Sequence, residues 1–200
     1  MDDAQLAAIA AEAYGAAPSW CAGDVHALAV NRADFPIIAV RGTTADPADW
    51  LRDLSALPER DPDLGWCHRG FLDGARALSG AIMASGADLR GAILVGHSMG
   101  GAIALLLAGM LIARNVPVRA VVAFGAPRCG SWKLRRVLRR IPLRLYRNGD
   151  DPVPDVPFLP GFYVHPCALI AVGEPALDPI ADHAIASYRR TLTSSEEKTP

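Results

Sequence analysis

Gly96-His97-Ser98-Met99-Gly100 sets a serine between two glycines at G-x-S-x-G spacing. A serine hydroxyl becomes a nucleophile when an imidazole takes its proton and a carboxylate fixes that imidazole. The flanks suit this chemistry. Ala92-Ile93-Leu94-Val95 is an apolar run of strand length, and Ala102 to Ala113 continues as an apolar helix. That is the strand–turn–helix in which such a motif holds its hydroxyl out at the carboxyl edge of a sheet. Side chains have no room where strand and helix nearly touch, so Gly96 and Gly100 are required sterically. The helix also aims its positive N-terminal end at the turn, favouring negative charge that develops there.

Five histidines compete to be the base. His97 adjoins the serine on a turn that aims its neighbours away, and reads as a packing residue. His26 lies in an early strand and His68 before a long helix, both upstream of the serine. In this architecture the partners follow the nucleophile in the order Ser, Asp or Glu, His. His183, after Asp182 and at the start of a final helix, suits a base delivered by a late loop; His165 is its competitor. The acid is sought in Tyr146-Arg147-Asn148-Gly149-Asp150-Asp151-Pro152-Val153-Pro154, where a strand runs into a loop. Asp150 and Asp151 both qualify, with Asp155 behind them, and residue chemistry alone does not separate the first two.

The elements that must carry these groups alternate. A short helix over Asp3 to Ala13 precedes strands at Val25 to Val30 and Phe35 to Val40, joined by a polar turn of hairpin length. A helix at Phe71 to Met83, a strand at Ala92 to Gly96, a buried helix at Ser98 to Arg114 and a strand at Val118 to Phe124 follow. Then come an amphipathic helix at Ser131 to Arg140 and a strand at Leu143 to Tyr146. Six prolines between Pro152 and Pro175 mark a long loop. It leads to a short strand near Ala168 to Val172, a last helix from Asp182, and a frayed tail from Ser194. This cadence predicts a single α/β domain over residues 1–200, with a mostly parallel sheet covered on both faces.

Composition narrows the classes. With 51% hydrophobic and 20% charged residues over 200 positions, the chain can bury a core and is not disordered. A formal charge of −1 gives no overall field for nucleic acid. The longest apolar run, Gly100 to Ala113, is too short to cross a bilayer. Met1-Asp2-Asp3 is acidic where a secretory signal is basic, which predicts a cytoplasmic protein. Cys21, Cys67, Cys129 and Cys167 lack zinc-ligand or redox spacing and are expected to be buried free thiols. Neither metal nor organic cofactor is called for.

Five ordered motifs resemble the class 3 lipases, the fungal triacylglycerol lipase type of α/β-hydrolase. They are Ile38-Ala39-Val40-Arg41-Gly42-Thr43, His68-Arg69-Gly70-Phe71-Leu72, Gly96-His97-Ser98-Met99-Gly100-Gly101, Phe124-Gly125-Ala126-Pro127-Arg128, and Asp151-Pro152-Val153-Pro154 followed by Asp182-His183. The resemblance spans roughly residues 25 to 190. It implies a compact α/β-hydrolase fold and a serine carboxylic-ester hydrolase with the triad Ser98, Asp151 and His183. It also implies an oxyanion hole from the backbone N–H groups of Thr43 and Met99. Two donors aimed at one point stabilise a tetrahedral oxyanion better than a flat carbonyl.

The segment after Thr43 looks like the family's lid. Trp50, Leu51, Leu54 and Leu57 form an apolar stripe over about 44–57, opposite Asp46, Asp49, Arg52 and Asp53. The chain is short for the family, which implies an open cleft and short-to-medium acyl esters, acylglycerols among them. A phospholipase A or feruloyl-type esterase would use the same triad, and a silent hydrolase fold would serve as a binding module. The expected partner is a small-molecule or lipid ester, with no nucleic acid and no obligate protein partner. Lys133, Arg135, Arg136, Arg139 and Arg140 read as a solvated face that admits transient contact with a lipid interface. Arg128 is expected to pair with a nearby carboxylate.

Overall fold

Successive residues of a strand face opposite sides of a sheet, and the central strands here are apolar on both. In β3 (Pro36–Val40), Ile38 and Val40 enter one core while Ile37 and Ala39 enter another. The same division runs through β7 (Val118–Phe124), where Val121 and Ala123 oppose Val122 and Phe124. A sheet buried on both faces needs helices on both, and the chain supplies them. The computed structural model describes residues 1–43, 57–159 and 162–196, with the side chains of 195 and 196 left aside. The expected lid over 44–57 falls outside the described residues except for Leu57.

Seven strands lie in the order β1 (Trp20–Ala22), β2 (Val25–Asn31), β3, β6 (Ala92–His97), β7, β8 (Leu143–Asn148), β9 (Leu169–Val172). The first two pairings are antiparallel and the remaining four parallel. A separate hairpin joins β4 (Pro58–Asp61) to β5 (Gly65–His68). One face packs against α2 (Arg69–Ala84), α3 (Met99–Ala113) and α4 (Trp132–Leu138). The other packs against α1 (Asp3–Glu12) and α6 (Ile185–Glu196), through Leu6, Ile9, Tyr188 and Leu192. Almost all of α3 is buried, which is why its sequence shows no polar face.

Several expectations need correction. β1 and the β4–β5 hairpin have weak sequence signals: both are short, and Pro58-Glu59-Arg60-Asp61 is nearly all polar. The last helix is two helices, because Asp178 caps Pro179–His183 and the chain breaks at Ala184 before α6. His183 therefore closes a one-turn helix, α5, and does not open the final one. α6 runs on to Glu196, past the point where fraying was expected. Of the four free cysteines only Cys67 and Cys129 are buried; Cys21 is exposed and Cys167 half-buried.

Parallel register aligns the carboxyl ends of the central strands. Val40 pairs with Gly96, His97 with Phe124, and Phe124 with Tyr146. The loops after these ends carry Thr43, Ser98, Gly125 and Asp151, so one sheet edge gathers segments far apart in the chain.

Candidate active site

Ser98 stands between β6 and α3 with φ 57° and ψ −132°, in the left-handed half of backbone space that side chains avoid. The surroundings impose that strain. A Cβ at Gly100 would strike the carbonyl oxygen of Val40, and would lie 2.7 Å from the Arg41 carbonyl carbon. One at Gly96 would come within 2.7 Å of the Gly101 nitrogen. The turn is thus clamped between the end of β3 and the start of α3. A further bond, from the Ser98 N–H to the Phe124 carbonyl (2.9 Å), ties it to β7. The serine is 1% exposed, and its Oγ has no hydrogen-bond partner among the described residues.

Beside it lies an imidazole–carboxylate pair. His183 Nδ1 is 2.9 and 3.0 Å from the two oxygens of Asp151, and both residues are buried. Asp151 is wholly enclosed, whereas Asp150 is exposed. Burial pushes the Asp151 carboxyl up. Hydrogen bonds from His183, the Tyr188 hydroxyl and the Val153 N–H outweigh it, leaving the group below the usual carboxylate range. A carboxylate held ionised fixes the proton on His183 Nδ1 and leaves Nε2 as the basic nitrogen. Gly125 packs against both partners. With φ +58°, it leaves no room for a side chain: a Cβ would sit 2.7 Å from Asp151 Oδ2 and 2.9 Å from His183 Nδ1. Phe124, one residue earlier, holds the Ser98 backbone, so the pair and the serine share one support. The Asp151–His183 contact is made in this structure; a hydrogen bond from Ser98 to His183 is not.

Three further residues hold this pair, and for Tyr188 and Asn148 the sequence carries no signal. The Tyr188 hydroxyl donates to Asp151 Oδ2 (2.5 Å) and accepts from the Asn148 N–H (3.1 Å). Asn148 Nδ2 donates to the Asp182 carbonyl (3.1 Å), and Asn148 Oδ1 accepts from Thr191. The buried Asp182 carboxylate accepts from the N–H groups of Asp150 and Ala176, both at 3.0 Å. It thereby binds the Asp151 loop to the segment that leads to His183. Asp182 adjoins His183 in sequence, and that adjacency is the one clue that could have exposed it.

The expected oxyanion donors sit on facing segments. Met99 opens α3, where N–H groups of the first turn have no intrahelical acceptor. Thr43 follows Gly42, and a Cβ on Gly42 would lie 3.2 Å from Ser98 Cβ. Other candidates go elsewhere. His68 caps α2, accepting from the Phe71 N–H (3.4 Å), and stacks on the Phe71 ring. His165 Nε2 donates to the Pro154 carbonyl (2.7 Å) and steadies the loop after Asp151. Arg128 pairs with Asp155, as does Arg147. Among the described residues no group of His, Cys, Asp or Glu could hold a metal ion, and no helix is long and apolar enough to cross a membrane.

Residues 37–161 match the family described as lipase (class 3). The chain belongs to the class 3 lipase family. It is 34% identical over 74 residues to the secreted mono- and diacylglycerol lipase A of Penicillium cyclopium, covering 36% of this chain and 24% of that protein. It is 32% identical over 173 residues to phospholipase A1-II 4 of Oryza sativa subsp. japonica, covering 68% and 43% respectively. Less than half of either relative's length is spanned. Among solved structures, the triacylglyceride lipase of Rhizomucor miehei superposes with a TM-score of 0.65 at 25% identity, over 78% of this chain and 63% of that one. These matches bear out the α/β-hydrolase fold and the family resemblance. They also correct the cytoplasmic expectation: the Penicillium relative is named as secreted, which points outside the cell.

Proposed function

We propose that residues 1–200 form one catalytic unit, a serine carboxylic-ester hydrolase acting on acylglycerol-type lipid esters. The observation that carries this reading is the buried His183–Asp151 pair beside the strained Ser98 turn. His183 Nε2 takes the Ser98 proton as Oγ attacks the ester carbonyl, and Asp151 balances the imidazolium that forms. The N–H groups of Thr43 and Met99 receive the oxyanion; one such donor is worth about 3 kcal/mol in the transition state. The imidazolium protonates the departing alcohol, and water, activated by the same histidine, releases the acid from Ser98. The names of the Penicillium and Rhizomucor relatives support acylglycerols as the substrate class.

Contact with a lipid surface belongs to the same reading. α4 and the residue pair after it carry five cations, none ion-paired with a described residue, although the whole chain has a charge of −1. Trp132 at its start is 59% exposed and Trp66 beside it 42% exposed, the pairing of aromatic and cationic side chains that suits a bilayer interface.

The test is labelling with a fluorophosphonate probe alongside hydrolysis of a diacylglycerol and a phosphatidylcholine. Covalent labelling at Ser98, lost in Ser98→Ala, with faster turnover of the acylglycerol is expected. No labelling of the folded wild-type protein rejects the hydrolase reading; faster turnover of the phospholipid rejects the substrate class.

A further inference from the structure

His97, the residue before the nucleophile, does more than fill space. Its ring is 5% exposed, and both nitrogens are bonded. Nε2 lies 2.7 Å from the carbonyl oxygen of His183, and Nδ1 lies 2.7 Å from the Tyr14 hydroxyl. A carbonyl can only accept, so Nε2 carries the proton and Nδ1 accepts from Tyr14. The Tyr14 hydroxyl also lies directly against the Gly42 backbone. The ring also lies against His183 itself, with centroids 4.7 Å apart.

The two ends of this chain of contacts are the His183 backbone and Gly42, the residue before an expected oxyanion donor. Gly42 is built for the contact. A Cβ at that position would strike the Tyr14 hydroxyl and come within 2.7 Å of the His97 carbonyl oxygen. The glycine is therefore required by the approach of Tyr14, not by an unusual backbone angle. Tyr14 comes from outside the α/β core, on the turn that ends α1, and α1 is anchored elsewhere by the Asp3 carboxylate on Arg144 and Tyr146. A hydroxyl reaching 83 residues along the chain to an imidazole that spans a further 86 has no part in the sheet ladders.

We propose that Tyr14 and His97 are positioning residues, a relay that holds the Gly42–Thr43 segment beyond β3 and the His183 backbone at fixed separation across the Ser98 turn. The relay rests on the hydrolase reading above. Its function is geometric. An oxyanion donor and a general base must meet one carbonyl together, and a shift of about 1 Å in such groups costs about 100-fold in rate.

The experiment compares Tyr14→Phe, His97→Gln and the double variant in acylation by a fluorophosphonate probe and in hydrolysis of p-nitrophenyl butyrate. Tyr146→Phe is the control, since it loosens α1 at Asp3 without touching the Tyr14 hydroxyl. Each single relay variant is expected to lower kcat and the acylation rate by about 10- to 100-fold, with KM within about twofold. The double variant is expected to match the more severe single one, because both substitutions break one chain of bonds. Tyr146→Phe keeps its acylation rate within about twofold even where urea unfolding shows a comparable stability loss. Additive single effects, or an equal rate loss in Tyr146→Phe at matched stability, overturn the relay alone. Wild-type protein that is folded and unlabelled overturns the hydrolase reading and the relay with it.

Discussion

Acidification should unfold this protein through a histidine that takes no proton in the native state. His97 is enclosed and meets the His183 imidazole; burial first, and that neighbour second, drive it from 6.5 down to about 3, against the His183 carbonyl and Asp151, which favour charge. In the unfolded chain the same ring titrates near its ordinary value of about 6.5. Below that value the unfolded state binds a proton that the folded state refuses, so stability falls as pH falls. The stabilisation is complete above pH 6.5 and is lost progressively toward pH 3. At pH 5 the loss is about 2 kcal/mol, set almost wholly by the unfolded value, and at pH 4 it is over 3 kcal/mol. That is a large share of the roughly 5–15 kcal/mol that holds a domain together. Urea unfolding of wild type and His97→Gln at pH 8, 6.5 and 5 measures it. The glutamine variant is expected to be less stable at pH 8, and to lose about 2 kcal/mol less than wild type between pH 8 and 5. Equal losses in the two proteins, or nitrogen chemical shifts showing a charged His97 above pH 5 in the folded state, would refute the reasoning. Tyr14, whose hydroxyl burial raises to about 12, stays neutral throughout this range and adds nothing to the slope.

Asp151→Asn should lower kcat by about 10⁴-fold, because the amide favours the wrong imidazole tautomer, whereas exposed Asp150→Asn should leave ester hydrolysis within about threefold. Tyr188→Phe removes a hydroxyl from the buried Asp151 carboxylate and should cost about 1–3 kcal/mol in urea unfolding. Gly100→Ala drives a methyl group into the backbone of Val40 and Arg41, neither of which can rotate away; a loss of about 3 kcal/mol and of fluorophosphonate labelling is expected. Arg136→Glu with Arg139→Glu should abolish co-sedimentation with phosphatidylglycerol vesicles at low salt and leave soluble-ester hydrolysis unchanged; binding equal to wild type would remove α4 from the lipid contact.

Much of the frame was legible in the chain. β6 and α3 could be placed because a serine between glycines, after a strand-length apolar run and before a longer one, has few other ways to fold. β7, an apolar run, and β8, with Leu143 and Leu145 on either side of Arg144, were legible as strands, and α2 as a helix over Phe71 to Met83. The β4–β5 hairpin was not, since its strands are too short and too polar to show alternation. The break at Ala184 was missed because Asp178 and Pro179 are a helix-start signal that His183 overshadowed.

What the amino-acid sequence determined alone is local: the turn that holds Ser98 at the carboxyl edge of the sheet, the glycines it demands, and the order of the main strands and helices. Those follow from sterics and periodicity within a few residues of each position. Tertiary structure alone decided which residues surround Ser98, Asp151 and His183. Asp151 faces His183 and its neighbour Asp150 faces water because a loop turns between them. Tyr188 reaches Asp151 across 37 residues, and Tyr14 reaches His97 across 83, only because α6 and α1 share one face of the sheet. A hydrogen bond between such distant segments leaves no period or spacing in the chain; it exists only once the core has brought them together.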